Sequence, residues 1–201
     1  MKHLKINKYF KRIQVKRNVI SNGITLSKKY RMAIVIPVYG EYDYIGKTLY
    51  SLFENEANYL KKTFVLLVVN NPAEGANSCY VKENQRLLRE LNDESFQKGC
   101  LSFEQNSFIL SNENLLNMLN LAWIDASNSG LELPGKGGVG MARKLGMDSV
   151  LTYLNWDEDP IIISLDADTL VEKNYLEMID SFFNEHKDLS AASVNYKHLP
   201  G

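Results

Sequence analysis

Residues Met32–Val38 read MAIVIPV, a near-continuous apolar, β-branched run ending around Pro37. A strand with one wet face alternates apolar and polar residues. A run without alternation is buried on both faces, so the chain must place a layer above it and another below. Two further segments have this character: residues 64–69 (FVLLVV), stopped by Asn70, Asn71 and Pro72, and residues 161–165 (IIISL). Turn-forming residues after each run mark where the strand leaves the sheet.

Between the runs the period changes to that of a helix. Ile45, Leu49, Leu52 and Phe53 recur at helical spacing, with Asp43 placed as N-cap. A helix is expected around residues 81–91. Phe108 to Leu110 reads as a short third strand, and Ser111 as the cap of a helix whose Leu115, Leu119 and Ala122 share a face. A loop rich in Gly, Ser and Pro follows, then a helix carrying Val139, Ala142, Leu145 and Val150. Leu176, Ile179 and Phe183 mark a last helix, and residues 189–196 a last strand. Strands alternating with helices imply right-handed crossovers and a mostly parallel sheet with helices on both faces: α/β, doubly wound. The chain has no internal repeat and no low-complexity linker.

With 201 residues and 45% hydrophobic content the chain suits one sizeable domain. Its net charge of −1 hides an asymmetry: 10 of the 23 Lys and Arg residues fall between Lys2 and Arg31, and no acid precedes Glu41. The chain therefore divides into a basic arm, residues 1–31, and a domain from residue 32 to 201 that carries the acidic excess. Such an arm can dock on anionic lipid or on the acidic body. Leu4, Ile6, Phe10, Ile13 and Val15 interrupt its charge, which equally suits a solvated arm or an edge strand. Cys79 and Cys100 are too few for a disulfide scaffold and lack CxxC spacing. No run approaches a membrane span or the apolar core of a signal peptide. The expected location is the cytoplasm, or the inner face of the membrane, and no nucleic-acid partner is expected.

In open α/β sheets, ligands bind in the crevice outside the carboxyl ends of the strands. The first run exits into Pro37, Tyr39 and Glu41, the second into Asn70 and Asn71, the third into Asp166, Ala167 and Asp168. Two carboxylates two residues apart repel unless a cation or solvent compensates them. They suit either a solvated acidic turn or a Mg²⁺ or Mn²⁺ site, and hard cations of this kind complete their shells with water and phosphate oxygens. Residues 135–149 (GKGGVGMARKLGMDS) join a glycine loop to a helix start, where free N–H groups and the helix dipole favour anions. Arg143 can grip a phosphate in bidentate fashion and Lys144 as a point charge, or both can be ordinary surface residues.

The strings AIVIPVYGE, FVLLVVNN, GKGGVGMARKLGMD and IIISLDADTLVEKNYLE, in that order, resemble the family 2 glycosyltransferases of GT-A fold. The resemblance covers residues 32 to about 196, and its specificity lies in the ordered set. It implies transfer of a sugar, with inversion, from a UDP- or GDP-sugar to a glycan, lipid or protein acceptor. It implies that Pro37, Tyr39, Glu41, Asn70, Asn71, Gly140 and Arg143 line the nucleotide-sugar pocket. It also implies that Asp168 is the principal ligand of Mn²⁺ or Mg²⁺, with Asp166 near the ribose or the metal. Asn70 and Asn71 stand where the family has acids, and Lys144 where it has Asn. The acceptor half with the catalytic base is expected beyond Gly201, which leaves the catalytic residue unassigned.

Three other readings compete. GKGGVG resembles a deviant Walker motif with Lys136 as signature lysine, but Met141 and Ala142 replace the phosphate Lys and the Ser/Thr, and residues 128–134 are turn-like rather than a strand. ISLDADT resembles the first motif of dehalogenase-type phosphatases, with Asp166 as nucleophile and Asp168 as acid. A donor-binding module without turnover is the third. Asp157, Glu158 and Asp159 precede the last apolar run and are read as a solvated turn at its far end.

Overall fold

The computed structural model describes residues 8–9, 20–21, 29–92 and 119–197. Its elements are β1 (Ile20–Ser21), β2 (Met32–Val38), α1 (Tyr42–Phe53), α2 (Ala57–Leu60), β3 (Thr63–Asn70), α3 (Ser78–Asn92), β4 (Leu121–Ala126), α4 (Val139–Val150), β5 (Ile161–Ser164) and α5 (Tyr175–Glu185). The sheet order is β1-β4-β3-β2-β5. Strands β2 to β5 are parallel to their neighbours, and β1 pairs antiparallel with the outer edge of β4. The architecture is α/β and doubly wound, as the apolar runs required.

Within each continuous run the pleat still sorts side chains by alternate residues. Ile34, Ile36, Val38, Val65, Leu67, Val69 and Trp123 face α1, α3 and Leu176 of α5. Ala33, Val35, Phe64, Leu66, Val68, Ala122 and Ile124 face α4. Helix α4 lies unusually close: a Cβ on Gly146 would come within 2.3 Å of Val35 Cγ1 and 2.9 Å of Val68 Cγ2. Only glycine lets the helix settle there, and that fixes where its N-terminus meets the strand exits.

Four sequence expectations change. Ala122 belongs to β4, not to a helix: LAWIDA runs along the free edge of β3, and the ladder from Val65↔Leu121 to Asn70↔Ala126 overrides the helical spacing carried over from Leu119. The strand expected at 108–110, the Ser111 cap and Leu115 lie outside the described residues. Residues 189–196 form no strand; they are exposed throughout and add no ladder to the sheet among the described residues. Asp43 sits in the first turn of α1 beside the helix dipole, while Glu41 holds the N-cap position without a side-chain cap bond. The turn-like 128–134 does follow a strand, β4, which removes one of the two objections to a Walker-type loop and leaves the missing Lys and Ser/Thr.

Of the basic arm, most residues lie outside those described. Ile20 and Ser21 form the edge strand β1, and Tyr9 donates a hydrogen bond to Asp148 of α4 (2.8 Å). Arg31 is not a solvated arm residue. It is buried, donates to the carbonyls of Glu158 and Asp159, and pairs with Asp180 of α5 at 3.0 Å. Asp157, Glu158 and Asp159 themselves are exposed at the end of β5 opposite its exit. Cys79 is exposed with a free thiol, and Cys100 lies outside the described residues. Among the described residues no helix is long and apolar enough to cross a membrane.

Candidate functional site

From β2 the chain winds outward through β3 to β4 and then crosses back to β5 on the other side of β2, so the winding reverses at β2, and the crevice at such a switch point is where an open parallel sheet takes ligands. The registers place the exits level. Val38 pairs with Val69 and Val35 with Ser164, so continuing each ladder sets Tyr39 beside Asn70 and Pro37 beside Asp166.

The exit of β5 is charged and open. Asp166 and Asp168 are exposed while Ala167 between them is buried, and the Thr169 N–H closes the turn on the Asp166 carbonyl at 3.2 Å. Arg143, one turn into α4, reaches across to pair with Asp166. Its Nε is buried without a hydrogen-bond partner among the described residues. Glu41 belongs to the same field. Burial pushes its carboxyl above the usual carboxylate range, and the charges of Asp168, Asp166 and Glu83 push it further, against a partial offset from the Tyr39 N–H (3.0 Å to Oε2). Three acidic side chains from two exits thus act on one another's charge, and Arg143 pairs with one of them.

The turn is held from beneath. Thr48 Oγ1 of α1 donates to the Ala167 carbonyl at 2.7 Å. Ser51 Oγ accepts the Val171 N–H at 3.1 Å, and Asn55 bonds both the Glu172 carbonyl (3.2 Å) and the Leu176 N–H (2.9 Å). These residues lay unnoticed in the sequence beside the apolar stripe of α1.

The exit of β3 is closed and uncharged. Asn70 and Asn71 are buried. Asn71 donates from Nδ2 to the Ser127 carbonyl (2.9 Å) and accepts from Asn84 Nδ2 (2.8 Å). Asn84 also donates to the Asn70 carbonyl (3.0 Å) and accepts the Gly40 N–H (3.1 Å). The Asn70 Oδ1 alone has no partner among the described residues. Asn84 was missed by sequence reading; its signal is a polar residue on the α3 face shared with Leu87, Leu88 and Leu91. Tyr39 turns toward this side, accepting the Asn77 N–H (2.8 Å) and meeting Tyr80 edge to face. Gly40, at φ +73°, lies under the Tyr80 ring, where a Cβ would come within 2.3 Å.

The glycine segment borders the same exit. Leu133 N–H bonds the Asn71 carbonyl (2.8 Å) and Glu74 N–H the Gly135 carbonyl (2.9 Å). Gly138 and Gly140 at the start of α4 are exposed, with nothing within 4 Å of where a Cβ would sit. Lys136 is exposed. Lys144 pairs with Asp148 along its own helix, so the point charge expected at the site is spent elsewhere. Asp125, another residue the sequence reading passed over, is turned inward on the Ser127 and Asn128 N–H groups.

The structure therefore brings Glu41, Asp166, Asp168 and Arg143 together at an open patch. It sets Pro37, Tyr39, Asn70, Asn71 and Gly140 around it, with Asn71 and Tyr39 already engaged by the protein. Among the described residues no group of three or more His, Cys, Asp or Glu converges closely enough to hold a metal without other ligands. The arrangement can offer one or two carboxylates to a hard cation and an arginine and helix N-terminus to an anion.

No family model and no curated protein matches the chain. Among solved structures it is similar to crystal structures of S. aureus TarS residues 1–349, alone (17% identity, TM-score 0.45), with UDP-GlcNAc (17%, 0.45) and with UDP (18%, 0.47). The similarity covers 85% of this chain and 37–38% of those chains, so this chain spans under two-fifths of their length.

Proposed function

We propose that the chain binds a nucleotide-sugar through a divalent metal at Asp168 and Asp166, as the donor-binding part of a glycosyltransferase. The observation that carries this reading is the meeting of an open acidic turn with an arginine whose Nε is buried and has no partner among the described residues, at the switch point of a parallel sheet. The donor set fits Mn²⁺ or Mg²⁺: two hard carboxylates on one exposed face leave most of the coordination shell to water and diphosphate oxygens. Such an ion, when bound, neutralises charge on a leaving nucleoside diphosphate.

The remaining roles belong to the chain's own groups. Arg143 turns its guanidinium from Asp166 toward a diphosphate oxygen, where it can bond in bidentate fashion. The exposed N-terminus of α4 supplies free backbone N–H groups and the positive end of its dipole, and Gly138 and Gly140 let phosphate approach. Asn70 Oδ1 offers an unspent acceptor to the base or ribose. Pro37 and Tyr39 form the floor between the exits. Glu41, held above its usual range, adds negative charge on the metal side as it ionises.

The test is thermal denaturation with Mn²⁺ and a UDP- or GDP-sugar. Ligand at one hundred times its Kd adds about 2.7 kcal/mol of stability, which in a domain of this size raises Tm by roughly 5–10 °C. Asp168→Asn is expected to remove the shift. No shift in the unaltered chain with either nucleotide overturns the proposal.

A further inference from the structure

Helix α1 and the turn that follows it carry three buried polar residues, Thr48 and Ser51 on the helix and Asn55 just past its end, beside the apolar Ile45, Leu49 and Leu52. Burying hydroxyls and an amide is unfavourable unless each is bonded, and here every bond runs to the segment after β5 or back to the helix. Thr48 Oγ1 donates to the Ala167 carbonyl (2.7 Å). Ser51 Oγ donates to the Thr48 carbonyl (2.8 Å) and accepts the Val171 N–H (3.1 Å). Asn55 donates to the Ser51 carbonyl (3.3 Å) and the Glu172 carbonyl (3.2 Å), and accepts the Leu176 N–H (2.9 Å). Lys173 and Glu54 continue the attachment at the surface with an ion pair of 2.9 Å.

Residues 165–174 form no helix or strand, so this ladder supplies the partners that regular structure would. Its first rung grips the residue between the two aspartates. With Ala167 fixed, Asp166 and Asp168 project from either side of a pinned carbonyl, and the repulsion between them cannot be relaxed by letting the turn drift. We infer that Thr48, braced by Ser51, is a positioning residue for the Asp166–Asp168 pair: it holds both carboxylates in the separation at which one cation can engage them. This rests on the metal-dependent donor reading above.

The experiment is Mn²⁺ binding by the intact chain, followed by water-proton relaxation or electron paramagnetic resonance, with and without UDP or GDP. Thr48→Val keeps the shape and removes the hydroxyl. It is expected to weaken Mn²⁺ binding by about tenfold, the lower end for loss of a group that orients a metal ligand. Thr48→Ser is expected to restore affinity to within about twofold, since it returns the donor. Leu88→Val, a loosening of the α3 core away from the turn, is expected to lower stability and leave Mn²⁺ affinity unchanged. If Thr48→Val does not fold, Ser51→Ala carries the same expectation at smaller size. Unchanged affinity in Thr48→Val overturns the positioning role while the donor site stands, as does equal weakening in Leu88→Val. A wild-type chain that takes up no Mn²⁺ with either nucleotide overturns the donor site, and this role with it.

Discussion

The exits of β3 and β5 lie on the same edge of one sheet and are built in opposite ways. At β3, Asn71 and Asn84 spend their amides on Ser127, Asn70 and Gly40 within a buried cluster. At β5, Asp166 and Asp168 are exposed, and Arg143 meets only the first. Amides turned inward hold the crevice open to a fixed shape. Among the described residues, the charge of the carboxylates left outward is answered only in part, by Arg143. One exit is a frame, the other a grip, and substitutions should separate the two.

The largest effect is expected at the frame. Asn84→Leu removes an acceptor from the Gly40 N–H and a donor from Asn71 and Asn70; unpaired buried polar groups at about 1–3 kcal/mol each predict a loss of roughly 3 kcal/mol in urea unfolding. An Asn84→Leu chain as stable as the parent would erase the distinction. The grip should behave otherwise. Asp166→Asn breaks an ion pair whose members are 34% and 53% exposed, so its stability cost stays below about 1 kcal/mol, while Mn²⁺ uptake with UDP or GDP falls. A large stability loss there would make Asp166 part of the frame.

The smallest expected effect is a pH dependence at Glu41. Its carboxyl is held above the ordinary range, chiefly by burial and then by Asp168, Asp166 and Glu83. A raised acid favours the protonated form, so the folded chain gains stability as pH falls through that raised value toward the ordinary one, and loses it as pH rises. Glu41→Gln never ionises. In melts between about pH 8 and about pH 4 the variant should exceed the parent at the upper end, with the gap closing at the lower. A gap that widens on acidification would reverse the sign assigned to the cluster.

Much of this was legible in the sequence, for physical reasons that also explain the misses. β2, β3 and β5 were readable because strands buried on both faces need uninterrupted apolar residues. β4 was not, since its Asp125 breaks the run and Ala122 continues a helical spacing begun earlier. Asp166, Asp168, Glu41 and Arg143 stood out because charge beside a buried strand has few structural uses. Thr48, Ser51, Asn55 and Asn84 did not stand out: a polar residue in an amphipathic helix reads as surface, and only the fold reveals that the backbone opposite it lacks partners. Asn71 was expected in the pocket from its place at a strand exit, and the structure shows its amide bonded to the neighbouring loop.

The register that sets Met32 beside Ile161 also orders events in time. Strand β2 pairs with β3 soon after both are made, yet its other edge waits for a segment far along the chain, and contacts so distant in sequence are slow to close. Until β5 arrives, the buried stretch Met32–Val35 of β2 presents an open, apolar edge of the kind that recruits other chains. The strand that seals that edge is the one that delivers Asp166 and Asp168. Formation of the acidic turn and covering of that stretch of β2 are a single step, and stalled chains should be sticky and lack the turn together.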